Sequence, residues 1–236
     1  MRRVALVMAL ALSPLPFPAA AATMPPVRMK VVDAQDGSPV EGAHVLFQAN
    51  AREGTFTGHG GRSANLFVAE AVTDVSGEFR FPKQDFSSQP FFLNTVYQSP
   101  SMVVLKPGYV LVVLTDLNRP YPDLKELTTW QYSNQMIKMK RVTRENEVVQ
   151  TLDNAVMYAE MPASEKNLCF WKQYPRLLVS LDRLVKEWEG KRATVADAAL
   201  RNRSVASPLQ KILMNEEFFV EKGCSSPRAF FESYWR

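Results

Sequence analysis

Val32-Asp33-Ala34-Gln35-Asp36-Gly37-Ser38-Pro39-Val40-Glu41-Gly42-Ala43 is the stretch whose reading decides the fold. Asp36-Gly37-Ser38-Pro39 is a turn with a mechanism: glycine accepts positive φ, and proline cannot donate to a β-ladder. Two later phrases have the same character. Val72-Thr73-Asp74-Val75-Ser76-Gly77-Glu78-Phe79-Arg80-Phe81 places Asp and Gly around a four-residue connection, which reads as a hairpin. Lys106-Pro107-Gly108-Tyr109 punctuates two apolar runs.

The segments between these turns carry strand signals. Val27–Val32 alternates apolar with basic residues, the period of a half-buried strand. Ala43–Ala49 places Val45 and Phe47 on one face and His44, Leu46 and Gln48 on the other. Further strands are expected at about Asn65–Thr73, Glu78–Phe81, Met102–Leu105 and Val110–Leu114. Asn134–Val142 reads as the closing strand, with Ile137 and Met139 inward. Phe91–Val96 is open between strand and loop, and a short helix is expected around Leu124–Thr129.

The order of the three phrases resembles the carboxypeptidase regulatory-like domain, the transthyretin-like or prealbumin-like β-sandwich, over about residues 27–142. The resemblance implies an antiparallel sandwich of seven or eight strands that serves as an accessory or binding module. It implies no catalytic set. The glycine-rich insert at 50–65 and the segment 82–101 are both longer than the family pattern.

After Thr143 the pattern turns helical. Leu177, Leu178, Leu181, Leu184, Val185 and Trp188 form one stripe at helical spacing, so a helix is expected over Pro175–Trp188, ended by Gly190. Others are expected at Glu145–Tyr158, Thr194–Leu200, Pro208–Glu221 and Pro227–Trp235, the last capped by Ser226. The fold class is therefore α+β: an N-terminal antiparallel β-sandwich, transthyretin/prealbumin-like, followed by a C-terminal all-helical region. The expected division is a signal peptide over 1–22, the sandwich domain over 23–143 and the helical region over 144–236.

Arg2-Arg3, the apolar run Val4–Leu12, the breakers Pro14, Pro16 and Pro18, and Ala19–Ala22 have the order of a secretory signal, with cleavage near Ala22. A periplasmic or secreted location follows as the expectation. Removing 1–22, which holds two arginines and no acid, takes the formal charge from +4 to +2. That weak bias, with no basic block interleaved with aromatics, argues against a nucleic-acid partner. No later stretch reads as a membrane span.

Cys169 and Cys224 are the only cysteines. In an oxidising compartment they are expected to pair, the alternative being two buried thiols that never meet. His44 and His59 are the only histidines and do not make a metal-ligand set, so neither metal nor cofactor is expected. Gly58-His59-Gly60-Gly61-Arg62 has two readings, an anion-holding loop with Arg52 or a plain hairpin tip. Its likeness to a hydrolase oxyanion loop fails for want of a Gly-x-Ser-x-Gly elbow. Asp33, Asp36 and Asp74 serve turns, and Glu216-Glu217 diverge on their helix. Phe218, Phe219, Phe230, Phe231, Tyr234 and Trp235 are expected to pack.

These readings converge on an exported, non-catalytic binding or interaction protein of the envelope, with a protein or small-ligand partner met at Arg52, His59, Arg62 and the loop 82–98. The alternatives are a periplasmic hydrolase with its site at the sandwich–helix seam, and a purely structural envelope component.

Overall fold

The computed structural model describes residues 23–53, 63–85, 95–97, 100–115, 134–160 and 168–235. Its strands are β1 (Thr23–Met24), β2 (Val27–Asp33), β3 (His44–Glu53), β4 (Ser63–Val72), β5 (Glu78–Phe81), β6 (Gln84–Asp85), β7 (Thr95–Tyr97), β8 (Ser101–Leu105), β9 (Val112–Thr115) and β10 (Met136–Met139). The helices are α1 (Glu145–Glu160), α2 (Pro175–Lys191), α3 (Ala198–Arg201), α4 (Pro208–Met214), α5 (Glu216–Glu221) and α6 (Pro227–Phe231). The α+β class is as the sequence reads.

One sheet of the sandwich has the order β10-β2-β5; the other runs β4-β3-β8-β9, with β7 also paired to β3, and β1 and β6 form a separate two-stranded pair. All pairs are antiparallel except β2 with β10, which run parallel. Val27, Met29 and Val31 from β2 meet Val45 and Phe47 from β3, Phe79 and Phe81 from β5, and Ile137 and Met139 from β10 between the sheets. Phe47 and Phe81 lie 5.4 Å apart at the centre of this core.

The larger sheet is buried on its other face too. Leu46, Val68, Val103 and Leu105 join one continuous apolar core with Trp171, Leu178, Leu181, Leu209 and Phe231 of the helical region. The molecule is thus sheet on sheet on helix. β8 shows this most directly, since all five of its residues are buried, as a near-continuous apolar strand covered on both sides must be.

Several local expectations change. The Asp74–Gly77 turn is not a hairpin, because β4 and β5 belong to different sheets. Asp74 Oδ1 accepts from Ser76 N, Ser76 Oγ and Glu78 N as an Asx turn does. That chemistry is local and is indifferent to whether the flanking strands pair. Gly190 does not end α2, which runs on to Lys191; the Arg192 amide then donates to Trp188 O. The helix expected at Thr194–Leu200 is a 3-10 turn (Arg192–Thr194) followed by α3, capped by Asp197. Asn215, at φ −103 and ψ 28, leaves helical geometry and divides Pro208–Glu221 into α4 and α5. Phe231 and Phe219 are buried and Phe230 and Tyr234 pack on them, but Phe218 and Trp235 stay 44% and 43% exposed. The helix expected at Leu124–Thr129 lies outside the described residues.

Gly77 gives a sharp test of this topology. Its φ is +75°, and a Cβ there would stand 2.4 Å from Val31 O, on the neighbouring strand β2 of the sheet that β5 joins. Gly37 has a similar φ of +72° with nothing within 4 Å. Gly77→Ala is expected to cost more than Gly37→Ala by at least about 1–3 kcal/mol, since strain and a backbone clash add. Urea unfolding of both variants checks this; equal costs would contradict the close approach.

Candidate functional site

The seam between sandwich and helices is built from the Lys106–Tyr109 turn. Gly108 takes φ +84°, and the Tyr109 amide donates to Lys106 O at 3.1 Å. The turn is strapped to the chain leaving β10: Val110 N donates to Lys140 O and Val142 N to Gly108 O, each at 2.8 Å. Tyr109 Oη donates to Asp33 Oδ2 at 3.0 Å, and Arg141 Nε donates to the same oxygen at 2.5 Å. The Gln35 amide, Arg141 and Tyr109 all favour the ionised form of Asp33, and its pKa falls to about 2. Asp33, a turn residue in the sequence, is thus also the anchor of the turn at 106–109.

A second buried carboxylate fixes the helix entry. Glu147, in the first turn of α1, accepts from Lys140 Nζ at 2.6 Å, Thr143 N at 2.9 Å and Arg144 Nη2 at 2.9 Å. These bonds hold its carboxyl well below the usual range. A half-buried carboxylate, Glu70 on β4, accepts from the Arg176 and Leu177 amides at 3.1 and 2.9 Å, filling the N-terminus of α2 with an anion from the sheet. Burial raises its pKa in spite of those bonds.

Between these anchors lies a cavity of about 410 Å³. The turn Lys106–Tyr109 and Val142 form one wall; Val148, Thr151 and Leu152 of α1 form the second; Leu184 and Trp188 of α2, with Val195, form the third. Most of this lining is apolar. Trp188 is held by its Nε1 donating to Arg203 O at 3.2 Å, and Thr151 Oγ1 accepts from Leu111 N at 3.3 Å. Glu187 and Lys191, also on the lining, pair with each other, whereas Lys106 and Glu145 carry no ion pair among the described residues. The size lies in the range of small-molecule sites, and an apolar body with a few polar groups is their usual composition.

β3 presents a polar file toward the helices, away from the lining of this cavity. Gln48 is fully buried with both amide atoms unpartnered, and His44 Nδ1 is buried without a partner. On the helix side Trp171 Nε1 is equally unpartnered at 0% exposure. Such groups cost free energy when left unmet, so they mark a place where packing alone does not account for the residues chosen. Burial is the main cause that pushes the His44 pKa down to about 4, with the charges of Lys106, Arg176 and Arg183 adding to it.

Arg52 lies on β3, its backbone paired with Ser63 and Val96. His59 and Arg62 lie outside the described residues, as does the whole of Gly58–Arg62. The disulfide Cys169–Cys224 is formed, and it joins the approach to α2 to the turn after α5. Among the described residues no group of three or more His, Cys, Asp or Glu is placed to hold a metal ion, and no helix is long and apolar enough to cross a membrane.

No family model matches the chain, and no curated protein matches it. Solved structures that resemble it include a 3-chlorocatechol 1,2-dioxygenase from Rhodococcus opacus 1CP, at 12% identity and TM-score 0.31, over 55% of this chain and 64% of that one. A hydroxyquinol 1,2-dioxygenase from Pseudomonas putida DLL-E4 matches at 13% identity and TM-score 0.27, over 50% of this chain and 57% of that one. The chain thus spans less than two thirds of either enzyme, and likeness this slight carries no functional argument.

The sequence missed Lys106, Glu70 and Glu147 as site-builders. A signal existed for the seam itself: Met102–Leu105 is an unbroken apolar run, which marks a strand covered on both faces.

Proposed function

We propose that the chain is an exported, non-catalytic binding protein whose ligand site is the seam cavity. The single observation that carries this reading is the cavity of about 410 Å³ with apolar walls, bounded by the turn at 106–109 and by α1 and α2. Supporting it, the buried carboxylates of Asp33 and Glu147 and the half-buried one of Glu70 fix the turn and the helix starts before any ligand arrives, which lowers the ordering cost of binding. The signal-like residues 1–22 support export, and the disulfide suits an oxidising compartment.

Val148 lies on the cavity wall and is only partly buried. Val148→Trp is therefore expected to fill the cavity without opening the core. Titration with the neutral apolar probe phenylnaphthylamine checks it: the wild type binds, and the variant weakens binding by roughly tenfold or more, about 1.4 kcal/mol. Equal affinity in the two proteins would remove the cavity as the site.

A further inference from the structure

The charges on the seam cavity balance. Its lining sets Lys106 and Lys191 against Glu145 and Glu187. Glu187 and Lys191 hold each other, so that pair presents no net charge to a ligand. Lys106 Nζ lies back against Gly42, 3.1 Å from where a Cβ there would stand, and Gly42 is not on the lining. Glu145 is exposed in the first turn of α1, so water solvates its carboxylate. The walls behind these groups are apolar, with Val142, Val148, Leu152, Leu184 and Val195 among them. A formal charge carried onto those walls would lose its hydration, with no opposite charge held there to replace it.

The neutral polar hydrogens on the lining are spent, with one exception. The uncharged polar side chains there are Tyr109, Thr151, Trp188 and Thr194. Tyr109 Oη donates to Asp33 Oδ2, Trp188 Nε1 to Arg203 O and Thr194 Oγ1 to Lys191 O. Thr151 differs. Its Oγ1 accepts from Leu111 N at 3.3 Å, and its hydroxyl hydrogen donates to no group among the described residues. A hydroxyl is donor as well as acceptor, so the donor half of this side chain is unused. Thr151 is only 6% exposed, so bulk water does not meet that hydrogen. A buried donor left unmet costs free energy, and a ligand oxygen in the cavity would meet it.

We propose that the seam cavity takes an uncharged, apolar molecule carrying a carbonyl or hydroxyl oxygen, and that this oxygen accepts a hydrogen bond from Thr151 Oγ1. The proposal rests on the cavity being the ligand site and adds the chemical class of what enters it. The apolar walls take the body of the ligand, and the balanced charges favour neither sign. The Thr151 hydroxyl fixes the orientation by drawing the oxygen to the α1 wall. One neutral hydrogen bond contributes only a few-fold to affinity, so its part is selection and orientation and the walls supply most of the binding.

Three naphthalene probes test it on the full mature chain: the neutral ketone prodan, the neutral phenylnaphthylamine, which has no oxygen, and the anion anilinonaphthalene sulfonate. In Thr151→Val, prodan is expected to lose roughly three- to tenfold in affinity while phenylnaphthylamine is little changed. The variant also frees the Leu111 amide, a change common to both probes, so the difference between them reads the ligand bond alone. Thr151→Ser keeps the hydroxyl and is expected to bind both neutral probes as the wild type does. The anion is expected to bind the wild type more weakly than phenylnaphthylamine, which shares its ring skeleton. The carbonyl stretch of prodan bound to the wild type, expected below its value in an apolar solvent, reads the hydrogen bond without any variant. Equal losses for the two neutral probes, an unshifted stretch, tighter binding of the anion, or binding of phenylnaphthylamine without prodan overturns the proposal while leaving the cavity as a binding site. Failure of both neutral probes to bind the wild type overturns the cavity reading and this one with it.

Discussion

Between pH 6.5 and pH 4 the protein is expected to lose about 3 kcal/mol of stability through His44 alone. The sign follows from where the proton prefers to be. In the unfolded chain His44 has its ordinary pKa near 6.5, whereas burial first, and three nearby cations second, hold the folded value at about 4. Between those values the unfolded state binds the proton and the folded state does not, so falling pH favours unfolding. A difference of some 2.5 pKa units corresponds to about 3 kcal/mol at the lower end of the window. Urea unfolding of wild type and His44→Gln at pH 7 and pH 4 separates this contribution, because the variant lacks the titrating ring. The wild type is expected to lose about 3 kcal/mol more than the variant over that interval. Equal losses would mean that His44 is solvated and does not sit under α2. The carboxylate Asp33 acts in a separate window: its folded pKa is depressed to about 2, so its contribution is present above the unfolded value and fades only below about pH 4.

Removal of the disulfide is expected to have a still larger effect. Cys169 and Cys224 close a loop of sequence separation 55, for which the chain-entropy account gives about 4 kcal/mol. Inside that loop lie α2, α3, α4 and α5, and Trp171 packs on Phe219, Phe230 and Phe231 beside the bridge. Cys169→Ala/Cys224→Ala is expected to lower the midpoint by roughly 10 °C for a chain of this size. Cys224 is fully buried, so a reductant without denaturant is expected to act slowly on the native protein. A shift of only a degree or two in the double variant would show that the helical layer is held by its contacts with the sheet and not by the bridge.

The turns and the periods were legible in the residues. Asp36-Gly37-Ser38-Pro39 and Lys106-Pro107-Gly108-Tyr109 are turns because glycine and proline leave little alternative, and both glycines have positive φ. The stripe from Leu177 to Trp188 is buried as its spacing requires, except for Leu184, which is partly buried on the cavity wall. What local chemistry does not encode is which surfaces meet. His44 and Gln48 alternate with Val45 and Phe47, and a polar alternate face ordinarily faces water; here it faces α2 and the chain before it. The Asp74 turn looks the same within a sheet or between sheets. Gly190 lies in the last turn of α2, and a single glycine costs a helix only about 1 kcal/mol, too little to stop one held by the buried stripe.

The candidate site divides in the same way. Lys106-Pro107-Gly108-Tyr109 was visible as a turn, and Cys169 with Cys224 as a pair. The cavity was not visible, because its walls come from the turn, α1 and α2, which are distant in sequence and meet only by packing. Glu70 and Glu147 read as ordinary exposed acids until the helix amides and Lys140 are placed against them. The Arg52, His59 and Arg62 surface was read from composition, and His59 and Arg62 lie outside the described residues.

The central claim is that a ligand enters the seam between the turn at 106–109 and the helices. Amide and indole resonances of the labelled mature protein, followed as phenylnaphthylamine is added, test it most directly. The account predicts shifts concentrated at Gly108, Tyr109, Val148, Leu152 and the Trp188 indole, with Gly37 and Ser76 unmoved. Shifts centred on the β3–β4 end of the sandwich, with the Trp188 indole unmoved, would contradict it.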